Sequence, residues 1–186
     1  MRQVTVSTHI SASCEELFDF VGDLSRRPAF ADHYLKDYRL ASANHVGEGA
    51  AARFLLDAPI FGERGDLAIT EYDRPRRIVE RGRIGRVGRS PLVSTYDFAP
   101  EDGGRTRVEL TTHSEPYSRR DRIRGLGANR WLRRQSEKAL ERLRRIFEEP
   151  AEGELERVTI AAHEPSRNPR FGAHVPRRER RSDGGW

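Results

Sequence analysis

The 186-residue sequence predicts an α+β fold: a curved, seven-stranded antiparallel sheet around one long C-terminal helix, with two short helices after the first strand. Three observations carry this reading. Runs of alternating apolar and polar residues recur seven times before residue 114, and a period of two suits strands with one buried face. The breaks between most of them are short and rich in Gly, Pro, Asn and Asp, leaving no room for the crossover helices of a parallel sheet. Beyond residue 118 the apolar period changes to that of a helix.

The elements follow in order. Val4, Val6, Thr8 and Ile10 alternate with Thr5, Ser7 and His9 and form the first strand. Ser13-Cys14-Glu15-Glu16 has the form of a capping box: the hydroxyl accepts from the Glu16 amide while the Glu16 carboxylate reaches back to the cap. A short helix follows, burying Leu17, Phe18, Phe20 and Val21, and Gly22 is placed to stop it. Residues 23–30, with Pro28, form a second short helix or turn. Strands are expected at 34–41, 49–57, 64–72, 77–84, 91–98 and 105–113. Ser118-Arg119-Arg120-Asp121 is a second capping box, and the helix it opens runs to Glu149, where Pro150 ends it. Ala128, Leu132, Ala139, Leu143, Ile146 and Phe147 make its apolar stripe, and it is the one element able to cover the concave face of the sheet.

Composition narrows the class. No segment approaches the roughly 18 apolar residues of a membrane span, and the first ten residues lack a signal-peptide core. The single cysteine, Cys14, excludes an internal disulfide framework. The chain reads as soluble and cytoplasmic. Its net charge of +5 is unevenly placed: residues 1–116 are slightly acidic, 151–186 nearly neutral, and 117–150 carry a net +6. The segment after Pro150 is poor in apolar residues and interrupted by Pro and Gly, so the domain is expected at 1–149 and a disordered tail at 150–186.

At this point the chain resembles a known family. ISASCEELFDF at 10–20, EYDRPRRI at 71–78, YDF at 96–98 followed by GGRTRV at 103–108, and LERLR at 140–144 are similar, in the same order, to the START-like (SRPBCC) superfamily of polyketide cyclase/dehydrases and lipid-transfer domains. The resemblance spans 1–149. It implies a helix-grip fold with a ligand cavity between sheet and helix. It does not imply one reaction, because the superfamily mixes binders, transporters and enzymes.

Strand parity then nominates the lining. With apolar faces inward, Phe54, Tyr96, Phe98, Leu110, Thr112 and Trp131 surround the interior, though the same side chains would also fill an ordinary core. Small residues at Ala50, Ala52, Gly82 and Ser94 favour open space. Such walls suit a lipid, a terpenoid or an aromatic polyketide. Tyr96 is a candidate hydrogen-bond or proton donor. Glu71 and Glu80 lie on neighbouring strands, and if both point inward the pair could supply a general acid or base; pairing with arginines on a solvated face is the alternative. The six histidines show no ligand spacing, so neither metal nor other cofactor is expected. GRIGRVG at 82–88 lacks the following helix of a phosphate loop.

Three functions are consistent with this. The first is binding of a small hydrophobic or aromatic molecule. The second is a cyclase/dehydrase-type enzyme using Tyr96 with Glu71 or Glu80. The third is a lipid chaperone that docks an acidic protein or an anionic membrane through its basic residues 119–134. The basic helix lacks the aromatic interleaving and reading motifs of nucleic-acid binders, so no nucleic-acid partner is expected.

Overall fold

The structure, a computed structural model, describes residues 2–58, 62–85, 90–114 and 127–149. Strand β1 (Arg2–Ile10) leads into helix α1 (Cys14–Gly22), a single 3-10 turn (Leu24–Arg26) and helix α2 (Arg27–Ala31). Six strands follow: β2 (Leu35–Leu40), β3 (Ala51–Asp57), β4 (Gly62–Asp73), β5 (Arg77–Ile84), β6 (Ser90–Glu101) and β7 (Arg105–Ser114). Helix α3 (Ala128–Glu148) closes the fold. The sheet is antiparallel throughout, in the order β1-β7-β6-β5-β4-β3-β2. This is the expected helix-grip architecture. The capping box proposed at 118–121, the first part of the long helix and the tail at 150–186 lie outside the described residues.

Local chemistry fixes the first helix. Ser13 Oγ accepts from the Glu16 amide at 3.2 Å, and Glu16 Oε2 accepts from the Ser13 amide at 3.1 Å. Two amides without helical partners are thereby satisfied. Gly22 ends the helix, and it also clears a path for another residue. A Cβ there would stand 2.7 Å from the Tyr72 ring, whose edge meets Phe18 at a centroid distance of 4.7 Å.

The core forms between the concave face and the helices. Ile10, Leu17, Phe18, Leu24, Ile69, Ile78, Val108, Leu140 and Leu143 are almost wholly buried. α1 packs across β5 and β6, while α3 packs along β1 and against α2. The C-terminal end of α3 is tied down where Glu148 Oε1 accepts from the Ser11 amide at 3.1 Å. Its other end stands near the start of β2, with Trp131 edge-on to Tyr34 at 6.4 Å.

Two features of the pairing between β4 and β5 matter for the interior. Ile69 pairs with Glu80 but Glu71 pairs with Val79, leaving Thr70 as an extra residue in β4. Such a bulge reverses which face the following side chains take. Gly82 marks a close approach of two strands: a Cβ there would fall 1.9 Å from the Asp66 carbonyl oxygen. The glycine therefore serves the contact between β4 and β5 and is not the opening in the wall that its size suggested.

Candidate functional site

The register sets side chains of the concave face in rows. One row runs Val4, Thr112, Ser94, Glu80, Ile69 across five strands. Its neighbour runs Val6, Leu110, Tyr96, Ile78. The polar members of the first row thus adjoin Tyr96 in the middle of an apolar surface.

Into this surface α2 delivers Arg27, which is 2 % exposed although it is an arginine. Proline at the second position of α2 supplies a preset helical φ at the entry of the short helix. Arg27 Nη1 donates to Tyr96 Oη, and Nη2 donates to Glu80 Oε1. Nη2 also reaches the Val21 carbonyl at 3.3 Å. The guanidinium carbon lies 5.0 Å from the Tyr96 ring centroid and 5.2 Å from that of Phe30. The Tyr38 phenol, also buried here, takes a hydrogen-bond contact from the Arg27 side chain.

Electrostatics follow from the burial. Burial pushes the Glu80 carboxyl above its ordinary value, against the pull of the Arg27 charge and hydrogen bond. For Arg27, burial works against the charge, but the Glu80 carboxylate beside it holds the proton more firmly than usual. An arginine does not give up its proton in a protein, so ionised Glu80 is what balances it. Burial pushes the Tyr34 phenol up to about 12 and raises Tyr38 and Tyr96 as well, so all three are neutral O–H groups near neutral pH. Tyr96 Oη accepts from Arg27, which leaves its own proton free to be donated elsewhere.

Each nominated residue has a definite place. Phe54, Tyr96, Phe98, Leu110 and Thr112 are buried on the concave side, and Trp131 is half-buried on α3. The Phe54 ring lies over Gly65, where a Cβ would meet it at 2.8 Å. Glu80 is 4 % exposed. Glu71 is exposed, so the expected inward carboxylate pair does not form. The cause is the bulge at Thr70, which turns Glu71 out and Tyr72 in; strict alternation from Ile69 would have done the opposite.

Sequence reasoning missed Arg27, the hub of the cluster. Parity placed Glu80 beside Ile78 on the inner face, and a buried carboxylate calls for a cation. That signal asked for an arginine but did not say which of the 32.

Nearer one end of the sheet the wall is less covered. The connections after β3, β5 and β7 all leave from that end. Leu56, Ile84, Leu92, Trp131 and Leu132 pack against the core there yet are only partly buried. A cleft of about 830 Å³ lies at the opposite end, outside the space between sheet and α3. Cys14, Phe98 and Thr106 are among its walls, as are Arg77 and Asp97, ion-paired at 2.6 Å. Among the described residues no His, Cys, Asp or Glu cluster is suited to a metal ion, and no helix is long and apolar enough to cross a membrane. Of the basic stretch at 119–134, residues 127–134 are described; within it Arg133 pairs with Glu137.

An antiparallel sheet gripping a C-terminal helix, with a polar cluster buried in an apolar interior, defines the class of helix-grip proteins. The chain belongs to the polyketide cyclase / dehydrase and lipid transport family, whose model matches residues 1–148. Solved structures share the fold. The KanY protein (ms6282) is 20 % identical with a TM-score of 0.65, over 79 % of this chain and 97 % of its own. TTHA0849 from Thermus thermophilus is 19 % identical with a TM-score of 0.57, over 77 % and 94 %. The hypothetical protein jhp0584 from Helicobacter pylori is 10 % identical with a TM-score of 0.64, over 78 % and 88 %. No curated protein matches the chain.

Proposed function

We propose that this protein binds a small hydrophobic or aromatic molecule, lipid-like or polyketide-like, on the concave face between the sheet and α3. The observation that carries the reading is the fully buried Arg27–Glu80–Tyr96 cluster, set in an apolar wall whose neighbours Leu56, Ile84, Leu92, Trp131 and Leu132 stay only partly covered. A buried ion pair is weak support for stability, because apolar replacements of similar volume are often as stable or more so. Partly covered apolar side chains beside a few convergent polar groups are what an apolar ligand site requires. Membership of the family supports the same reading.

Non-catalytic binding is favoured over a cyclase/dehydrase reaction with two carboxylates. Glu71 faces outward, and Glu80 is held by Arg27 and so cannot serve as a free base. The test is uptake of the neutral dye Nile red by the purified protein, together with mass spectrometry of its organic extract. Saturable dye emission and a recovered apolar compound support binding. No saturable dye uptake and no recovered compound would sink it.

A further inference from the structure

Helix α3 is held unevenly along its length. From Ala128 to Gln135 no residue is fully buried, and Trp131 and Leu132 are only partly so; burial begins at Ser136 and continues with Ala139, Leu140 and Leu143. The first turn is also weak in itself. Gly127 offers no side-chain cap, the turn has no acidic residue, and Arg130 stands where the helix dipole disfavours a cation. The far end is secured by Phe147, edge-on to Phe20 at 5.3 Å, and by the Glu148 bond to the Ser11 amide. The first two turns are thus the part of the helix that opens at low cost.

His33, between α2 and β2, ties these turns down. Its Nε2 donates to the Gln135 carbonyl at 3.1 Å, and its Nδ1 accepts from Arg142 Nη1 at 3.2 Å. The same Nη1 donates to Asp32. This pattern needs a neutral imidazole, with one N–H and one lone pair. The groups facing the ring are Asp32 and the Tyr34 ring on its own segment, and Lys138, Arg142 and the Gln135 carbonyl on α3. A proton on Nδ1 removes the lone pair that Arg142 uses and sets a new charge near Arg142 and Lys138. The Gln135 carbonyl and Asp32 offset part of this. Burial opposes the added charge first, the two cations assist it, and together they hold His33 below its ordinary value. Proton uptake therefore favours the state in which the ring has left α3.

We infer that His33 is an acid-released latch: while neutral it pins the first two turns of α3 across the less covered end of the sheet, and on protonation it lets them fray away from Leu56, Ile84 and Leu92. Access to the concave face is then set by pH. The opening belongs to the protein without any bound molecule, so it goes beyond the binding function proposed above and does not depend on it.

The experiment is amide hydrogen exchange of the full chain at pH 7.5 and pH 5.0, each rate divided by the intrinsic rate at that pH. Protection of amides 132–138 should fall at least threefold relative to that of amides 143–147 on going to the lower pH. His33→Gln keeps a neutral donor for the Gln135 carbonyl and takes up no proton in this range, so its ratio should stay constant. Arg142→Met removes one of the opposing charges and should shrink the fall by half or more. An equal loss of protection along the whole of α3 overturns the latch, as does an unchanged ratio in the unaltered protein or a fall that persists in full in His33→Gln. Should that variant fail to fold, the two halves of α3 in the unaltered protein and the Arg142→Met variant still decide the matter. Dye uptake plays no part in this measurement, so failure of the latch and failure of ligand binding are read separately.

Discussion

Replacing Arg27 with methionine isolates the electrostatic role of the cluster. Methionine fills much of the same volume but leaves Glu80, 4 % exposed, without its cation. The carboxylate then faces two choices: stay charged and buried, or take a proton. With an ordinary value of 4.5, taking a proton at pH 7 costs roughly 3.4 kcal/mol, at about 1.36 kcal/mol per unit of pH. That sets the scale, and removal of one partner from a buried pair is generally worth about 3–5 kcal/mol. At pH 5 the same protonation costs only roughly 0.7 kcal/mol.

The sign is fixed by the direction of the shift. A carboxyl whose folded value lies above its unfolded value contributes stability below the unfolded value, and that stability is lost as pH rises through the folded one. In the variant Glu80 is raised further than in the unaltered protein, since the pull of Arg27 is gone. The expected result is a loss of about 3 kcal/mol or more at pH 7, shrinking by at least 1.5 kcal/mol at pH 5. Urea denaturation of both proteins at both pH values measures it. A deficit below about 1 kcal/mol at pH 7, or one that does not change between the two, would refute the claim that Arg27 serves chiefly as the counter-charge of Glu80.

Two further outcomes are expected. Gly82→Ala places a Cβ 1.9 Å from a backbone oxygen of β4, so the strands must separate; thermal melting should show a loss above about 2 kcal/mol. His33 links α3 to the segment after α2, its Nε2 donating to the Gln135 carbonyl at 3.1 Å and its Nδ1 accepting from Arg142 at 3.2 Å. Burial holds it below its ordinary value of 6.5, opposed by the Gln135 bond and assisted by the charges of Arg142 and Lys138. Its unfolded form therefore binds more protons just below pH 6.5, and stability should fall as pH drops through that range. His33→Asn should flatten that part of the pH profile of the melting temperature, and an unchanged slope would remove His33 from the account.

Much of the fold could be read from the sequence because its determinants are local. Ser13 and Glu16 are three residues apart, and the alternation of β7 needs nothing outside residues 105–114. Side-chain direction was legible wherever pairing was regular, which is why Phe54, Tyr96, Phe98, Leu110 and Thr112 fall on the concave side. It failed at Glu71, because a bulge changes parity without leaving a mark in composition. The hub of the site was illegible for a different reason. Arg26 and Arg27 are chemically identical neighbours, yet one pairs with Asp23 near the surface and the other crosses the interior to a carboxylate 53 positions away. Only the packing of α2 against the sheet separates them.

The extra residue at Thr70 has a consequence for how this chain tolerates change. Side chains before it serve the layer facing the interior, and Tyr72 beyond it serves the layer against α1. The bulge acts as a phase shift that lets one strand belong to both. Thr70 itself is exposed, so exchange for another residue disturbs little. Were Thr70 instead to pair regularly, Glu71 would enter the core and Tyr72 would turn out to water, leaving Phe18 and Gly22 facing a gap; deleting Thr70 joins Ile69 directly to Glu71 and keeps both faces as they are. For β4, it is therefore the register with β5, and not the identity of Thr70 or even its presence, that is under constraint at this point.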